Sequence, residues 1–443
     1  MSVLSVVRRQ FLLVVVALAV LPLSAYSSDA PAELSLEAAI ELALKNNPRV
    51  EIATEQEAAL QGTLTTSKSS FLPRLTAGAN YGRINIDGLA PVEEDNFLQG
   101  LLRISQLIWD FGRSTGVIDS AEFSRAAAWE NLTQTKHDIV FETKTNFYSV
   151  LEKQRLITVA EQAVKNYETQ LYRAQKYYEA GVRTKIDVTN AQVNLSNQKL
   201  GLLRAQSNLK AARVLFENTL GTIPHEGNYT LLSDEDSLET LADNKPQMMQ
   251  ELEELIGLAK ENRPGLKRYT FLVQAAESVV NNAEGDYWPT ISAVGDYNVY
   301  ETDISSLADQ WQISVGLSWE FFSGFETEGK VAEANAKLRE TRAGLREFEL
   351  VIDRDVTDSF LRAEENSAAV DIADQSLSLA KENLDLADGR YKAGIGDILE
   401  YNDAQLLYTE NQSNLVITYY TYLTALARIE RAIGIIPELP PAE

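Results

Sequence analysis

The chain has 443 residues and no cysteine, and its 64 acidic against 40 basic side chains leave a formal charge of −24. That balance excludes nucleic acid as a partner, and the missing cysteine excludes a disulfide framework, thiol chemistry and a lipid-bearing N-terminal cysteine. With 45% hydrophobic residues and charge spread along its length, the chain reads as ordered rather than as a disordered acidic polymer.

Residues 1–25 carry Arg8 and Arg9, an apolar run from Phe11 to Val20, Pro22 and then small residues. This is the pattern of a secretory signal peptide cleaved at Ala25 or as late as Ala30, with an apolar run too short for a membrane span. No later stretch approaches ~20 uninterrupted apolar residues, so any membrane crossing must use strands.

The mature sequence repeats itself. "ALKNNPRVE" (43–51) pairs with "AKENRPGLK" (259–267), "FLPRLTAG" (71–78) with "YWPTISAV" (287–294), and "LGTIP" with "IGIIP". "YYEAGVRTKIDVTNAQ" (177–192) returns as "YKAGIGDILEYNDAQ" (391–405), so that Tyr178 aligns with Tyr391, Gly181 with Gly394 and Gln192 with Gln405. So long a period is duplication of a whole architecture and not a solenoid of short units. The first repeat spans 26–224 and the second 251–437. A linker at 225–250 joins them, expected to add short structure around the waist, and a tail occupies 438–443.

Each repeat opens its barrel portion with two strands, about 72–84 and 97–110 in the first and about 288–300 and 310–322 in the second. In the first, Leu98, Leu102, Ile104 and Ile108 share one face while Gln99, Arg103 and Ser105 share the other; in the second, Trp311, Ile313, Val315, Leu317, Trp319 and Phe321 alternate with polar or small residues. Strands of about ten residues with one apolar face suit a transmembrane barrel wall. Four of them cannot close a barrel, since the smallest need about eight, so several chains must combine. The acid-containing links "INIDGLAPVEEDN" and "ETDISSLAD" join the strands of each pair.

Helices follow. No proline stands between Pro91 and Pro224 or between Pro289 and Pro437, which permits long helices, expected at about 114–180, 185–220, 326–392 and 398–434. Val164, Tyr167, Leu171, Ala174 and Tyr178 make a narrow coiled-coil seam, repeated by Leu377, Ala380, Leu384, Ala387 and Tyr391. Beyond the turn, Val188, Leu195, Leu202 and Leu209 recur every seven residues, as do Tyr401, Tyr408, Leu415 and Tyr422. Each repeat is therefore a helical hairpin, turned at Gly181 in the first copy and at Gly394 and Gly396 in the second. The fold class is mainly α with a membrane β-barrel portion.

These motifs, in this order and duplicated, resemble the TolC-like outer-membrane efflux and secretion channels over essentially the whole mature length: "ALKNNPRV", "FLPRL", "QLIWDFGR" and the paired turns "AGVRTKIDVTNAQ" and "AGIGDILEYNDAQ". The resemblance implies a homotrimer in the outer membrane, pooling twelve strands into one barrel embedded in outer-membrane lipid and its helices into a periplasmic tunnel. It also implies a periplasmic adaptor and an inner-membrane efflux pump or ABC transporter as partners, with passive export of drugs, metals or proteins driven by the transporter. No cofactor is implied.

The turns would form the periplasmic gate. Glu400 and Asp403, three apart on one helix face, would make two rings of carboxylates around a threefold axis, and the resemblance adds Tyr391 and Asp187 as latching positions. The best-understood relatives carry an arginine where this chain has Gly396, so the expected latch is instead Arg183 or Lys185 of one first hairpin against Asp397 or Glu400 of a neighbouring second hairpin. The alternatives are a periplasmic coiled-coil adaptor or a structural envelope protein, against which the two strand sets argue. An enzyme is not expected: His137, in a helix, and His225, in a loop, read as surface histidines with no nucleophile elbow or metal-ligand spacing beside them.

Overall fold

The computed structural model describes residues 33–84, 95–224, 229–232, 240–248, 251–301 and 308–435. The expected signal peptide, most of both interstrand links, His225, half of the linker and the tail lie outside them. Two long hairpins dominate. In the first, α3 (Arg113–Glu179) has 67 residues and α4 (Lys185–Thr219) has 35. In the second, α7 (Glu326–Lys392) has 67 and α8 (Ile398–Ile433) has 36. At ~1.5 Å per residue the longer arms reach about 100 Å.

Each repeat also begins with two shorter helices, ahead of its strands, that the sequence reading did not assign. These are α1 (Leu36–Asn46) and α2 (Pro48–Lys68) in the first repeat, and α5 (Leu252–Asn262) and α6 (Pro264–Gly285) in the second. Pro48 and Pro264 each open a helix at its first position, where a missing N–H costs nothing. Because α3 and α7 are nearly twice as long as their partners, α2 and α6 cover the halves nearer the strands, and α4 and α8 cover the halves nearer the turns. Asn47 sits at the joint of the first repeat, where its side-chain N–H donates to the Thr219 carbonyl at 2.9 Å and its oxygen caps α2 on the Arg49 N–H at 3.0 Å. Arg263 takes that place in the second repeat and pairs with Asp355 at 2.9 Å.

The strands are β2 (Arg74–Ile84), β3 (Asp95–Trp109), β5 (Thr290–Glu301) and β6 (Ala308–Ser318), antiparallel in the order β2-β3-β5-β6, so the two repeats meet along β3 and β5. Register places Leu75, Leu102, Ile104, Tyr297, Trp311, Ile313, Val315 and Leu317 on one exposed face. Thr76, Arg103, Ser105, Asp296, Asn298, Gln312 and Ser314 take the other. Ile108 departs from the expected alternation. The register shifts between Leu107 and Trp109, so Trp109 and not Ile108 stands opposite Ile291 in the apolar row, as one extra residue in a strand requires. Trp319 and Phe321 also fall beyond the end of β6, in the turn that enters α7. There, and at the matching turn into α3, two consecutive left-handed residues reverse the chain: Phe111 and Gly112 in the first repeat, Gly324 and Phe325 in the second.

A belt surrounds the middle of the hairpins. The short strands β1 (Glu33–Leu34) and β4 (Thr230–Leu231) pair in parallel. With α1 they cover a core containing Ile139, Phe147, Val150, Phe216, Leu415, Tyr419 and Tyr420. Helix α5 covers a second core of Ile352, Val356, Ala425 and Ile429. His137 proves not to be a surface residue: it is 8% exposed within α3, and burial lowers its pKa, with Lys267 acting in the same sense and Asp138 opposing.

Candidate functional site: the two hairpin tips

Both tips use the same backbone device. Gly181 and Gly394 adopt φ of 73° and 78°, and each donates its N–H to the carbonyl three residues back, Tyr178 and Tyr391. The next residues, Val182 and Ile395, donate to the carbonyls of Tyr177 and Arg390. This pair of bonds closes the last turn of the helix and needs a residue that tolerates positive φ. Gly396 does not have positive φ. It is favoured by proximity, because a Cβ there would lie 3.0 Å from the Arg390 backbone and side chain, a tight contact.

The side chains then diverge. At the first tip, the Asp187 carboxylate accepts from the Thr184 N–H at 3.0 Å and hydroxyl at 3.2 Å, closing the start of α4. At the second, Asp397 precedes α8 without any side-chain cap bond. Arg390 crosses the turn to Glu400 at 3.1 Å, both side chains about half exposed. Sequence reasoning missed Arg390, which stands on the near side of the glycine, ten residues from its partner.

Tyr391 is 6% exposed and forms the centre of the contact between the hairpins. Its ring stacks on Tyr401 at 5.8 Å, meets the edge of Tyr177 at 6.2 Å, and lies under the Arg183 guanidinium at 5.7 Å. Tyr178, the residue that aligns with Tyr391 in the repeat, is 47% exposed. The seam of the first hairpin keeps the expected Tyr167 and Ala174 but buries Ala163 and Gln170 in place of Val164 and Leu171, and turns Tyr177 rather than Tyr178 toward Tyr391. Arg173 of α3 reaches Asp388 of α7 at 3.2 Å, Lys392 also pairs with Asp388, and Gln170 donates to Asn402. The expected site residues therefore separate into groups: Arg183 and Tyr391 touch, Glu400 is engaged within its own hairpin, Asp187 serves a cap, and Lys185, Asp397 and Asp403 are exposed.

Burial raises the phenol pKa of Tyr391, with Asp187 and Tyr177 acting in the same direction and Arg183 against it. Burial likewise raises that of Tyr401, reinforced by Asp388 and opposed by Arg173 and Lys392. Among the described residues no group of histidine, cysteine and carboxylate side chains is placed to hold a metal ion, and no helix is long and apolar enough to cross a membrane.

The family model described as outer membrane efflux protein matches residues 39–222 and 255–435, one match to each repeat. The chain belongs to the outer membrane efflux protein family. It is 20% identical over 407 residues to the outer membrane efflux protein BepC of Brucella suis, covering 89% of this chain and 86% of that one. It is 23% identical over 410 residues to TolC of Vibrio cholerae, covering 89% and 90%. Among solved structures, the CmeC outer membrane channel of Campylobacter jejuni superposes with a TM-score of 0.79 at 16% identity, covering 90% of this chain and 85% of that one.

This outer membrane efflux protein is accordingly an outer-membrane exit channel with its helical part in the periplasm. Its strand face of Trp311, Ile313, Val315 and Leu317 suits lipid, and its tips lie at the far periplasmic end. Family members are channels rather than enzymes.

Proposed function

We propose that three copies of this chain assemble into one passive exit duct, with the tips as its periplasmic entrance, serving a tripartite efflux or type I secretion system. The observation that carries this reading is the pair of unlike lateral edges. On one side stand β2 and α4, on the other β6 and α7, and among the described residues none of these has a partner beyond its inner neighbour within the sheet or the hairpin layer. Helix α4 exposes Ile186, Val193 and Leu200 every seven residues, and α7 exposes Ile372, Leu379 and Leu386 at the same spacing. Two matching heptad stripes on opposite edges describe a coiled-coil contact between successive copies, and such a heterologous contact closes into a ring. Three copies give twelve strands, enough for a membrane barrel.

In this reading export is driven by an inner-membrane transporter joined through a periplasmic adaptor, and the duct itself opens and closes. The exposed acids Asp397 and Asp403, repeated threefold with Glu400, form a cation-attracting entrance. Closure rests on Tyr391 beneath Arg183 within each chain, where Glu400 also holds Arg390, and between chains on Arg183 or Lys185 against Asp397 or Glu400 of a neighbouring second hairpin.

The deciding experiment is single-channel conductance of the purified full chain in planar bilayers, wild type against Glu400→Ala/Asp403→Ala. Cation-selective pores that lose selectivity in the double variant support both duct and entrance. Pores of unchanged selectivity remove the acidic entrance, and a folded membrane-extracted oligomer without pores removes the duct.

A further inference from the structure

Inside the sheet one ion pair crosses from the first repeat to the second. Arg103 Nε lies 2.6 Å from Asp296 Oδ1, and Arg103 Nη2 lies 3.5 Å from Oδ2. The two residues are direct cross-strand partners on β3 and β5, flanked in the same row by Thr76 on β2 and Gln312 on β6. All four stand on the polar face, opposite the apolar one that suits lipid, so in a closed barrel this row faces the bore. Among the described residues of that face the other charged positions are Arg74, one row nearer the periplasm, and Asp95, which stands opposite Ile84 at the far end of β3. These strands therefore place two basic and two acidic residues per chain on the face, and Asp296 is the acid in direct contact with Arg103. The aspartate is the more enclosed partner, with its side chain 18% exposed against 50% for the arginine.

We propose that the Arg103–Asp296 pair sets the charge selectivity of the membrane bore, Asp296 masking Arg103 so that cationic cargo admitted at the acidic entrance is not turned back at the exit. This rests on the trimeric duct proposed above. Removing one partner exposes the other three times around the axis, where charges of one sign add. Fixed charge in a water-filled bore acts over about a Debye length, ~10 Å at 0.1 M salt and ~3 Å at 1 M, so the effect must fade with ionic strength.

The test is the reversal potential of reconstituted full-length pores under a KCl gradient at low salt. Asp296→Asn moves it toward anion preference and Arg103→Gln toward cation preference, the double variant shows a smaller displacement than either, and all displacements shrink near 1 M. Gln312→Lys leaves the pair in place and adds one positive charge to the same row, so it moves the potential in the direction of Asp296→Asn even if the single variants fail to insert. Unchanged potentials, or displacement of Asp296→Asn and Arg103→Gln in the same direction, overturn the proposal while leaving the duct intact. A wild-type protein that forms no pore removes the duct and the proposal together.

Discussion

At the first tip an Asp187 carboxylate closes the start of its helix on Thr184, whereas at the second Asp397 makes no such bond and Arg390 spans the turn to Glu400. At the first tip Tyr178 faces solvent, whereas its repeat counterpart Tyr391 is enclosed by Tyr401, Tyr177 and Arg183. The backbone turns are the same in both. Duplication has thus kept the geometry that reverses the chain and distributed the remaining tasks. The first tip supplies a self-contained cap and a cation, and the second supplies the aromatic seat on which that cation rests.

The strongest way to break this comparison is to truncate the two aligned tyrosines. Tyr391→Ala should cost about 3–5 kcal/mol, as removal of a buried aromatic does, and should show as lost amide-exchange protection at the second tip and a higher resting conductance. Tyr178→Ala should stay within about 0.5 kcal/mol with neither change. Equal effects would mean that the tips are equivalent.

Next in size are the glycines. Gly181→Ala and Gly394→Ala each force a side chain into a left-handed conformation, at about 1–2 kcal/mol, readable in the thermal unfolding of each variant. Gly396→Ala should add its own penalty through crowding against Arg390, with no counterpart at the first tip.

The caps come third. Asp187→Ala should cost about 1 kcal/mol, while Asp397→Ala, which breaks no side-chain cap bond, should cost a few tenths at most, and local hydrogen exchange of Ile186–Thr189 against Leu399–Asn402 separates the two.

The smallest effect is reached by pH. Burial raises the Tyr391 and Tyr401 pKa values in the folded tip, so the folded state holds these protons where the unfolded chain releases them. That stabilisation is whole below about pH 10 and is lost as pH rises through the folded values. An alkaline titration followed by exchange at the second tip should show loosening that Tyr391→Phe weakens.

The periodicity of "QWQISVGLSWEFFSG" and the proline-free tracts made the strands and long hairpins legible, because each depends on a local pattern repeated over many residues. Helices α1 and α5, of 11 residues each, were hidden by their brevity, and α2 and α6 by Pro48 and Pro264, which served as alignment marks before they could be read as helix starts. The β3 bulge left no mark in an apolar sequence, "QLIW", where either parity looks acceptable. At the tips the glycines and acids could be named from the turn motifs. The partnerships could not. Arg390 meets Glu400 only once the turn has folded back, and the choice of Tyr177 over Tyr178 is made by how one hairpin is rotated against the other.

The parallel pair β1 and β4 bears on how the chain is built. Each hairpin joins segments adjacent in sequence and can form as soon as its own residues have left the inner membrane. Leu34, by contrast, finds Leu231 only after the whole first repeat has emerged, and contacts of such long sequence separation form late because the intervening loop must first be closed. The belt is thus a late contact, tying the chain ahead of α1 to the segment that follows the first repeat once that repeat is complete.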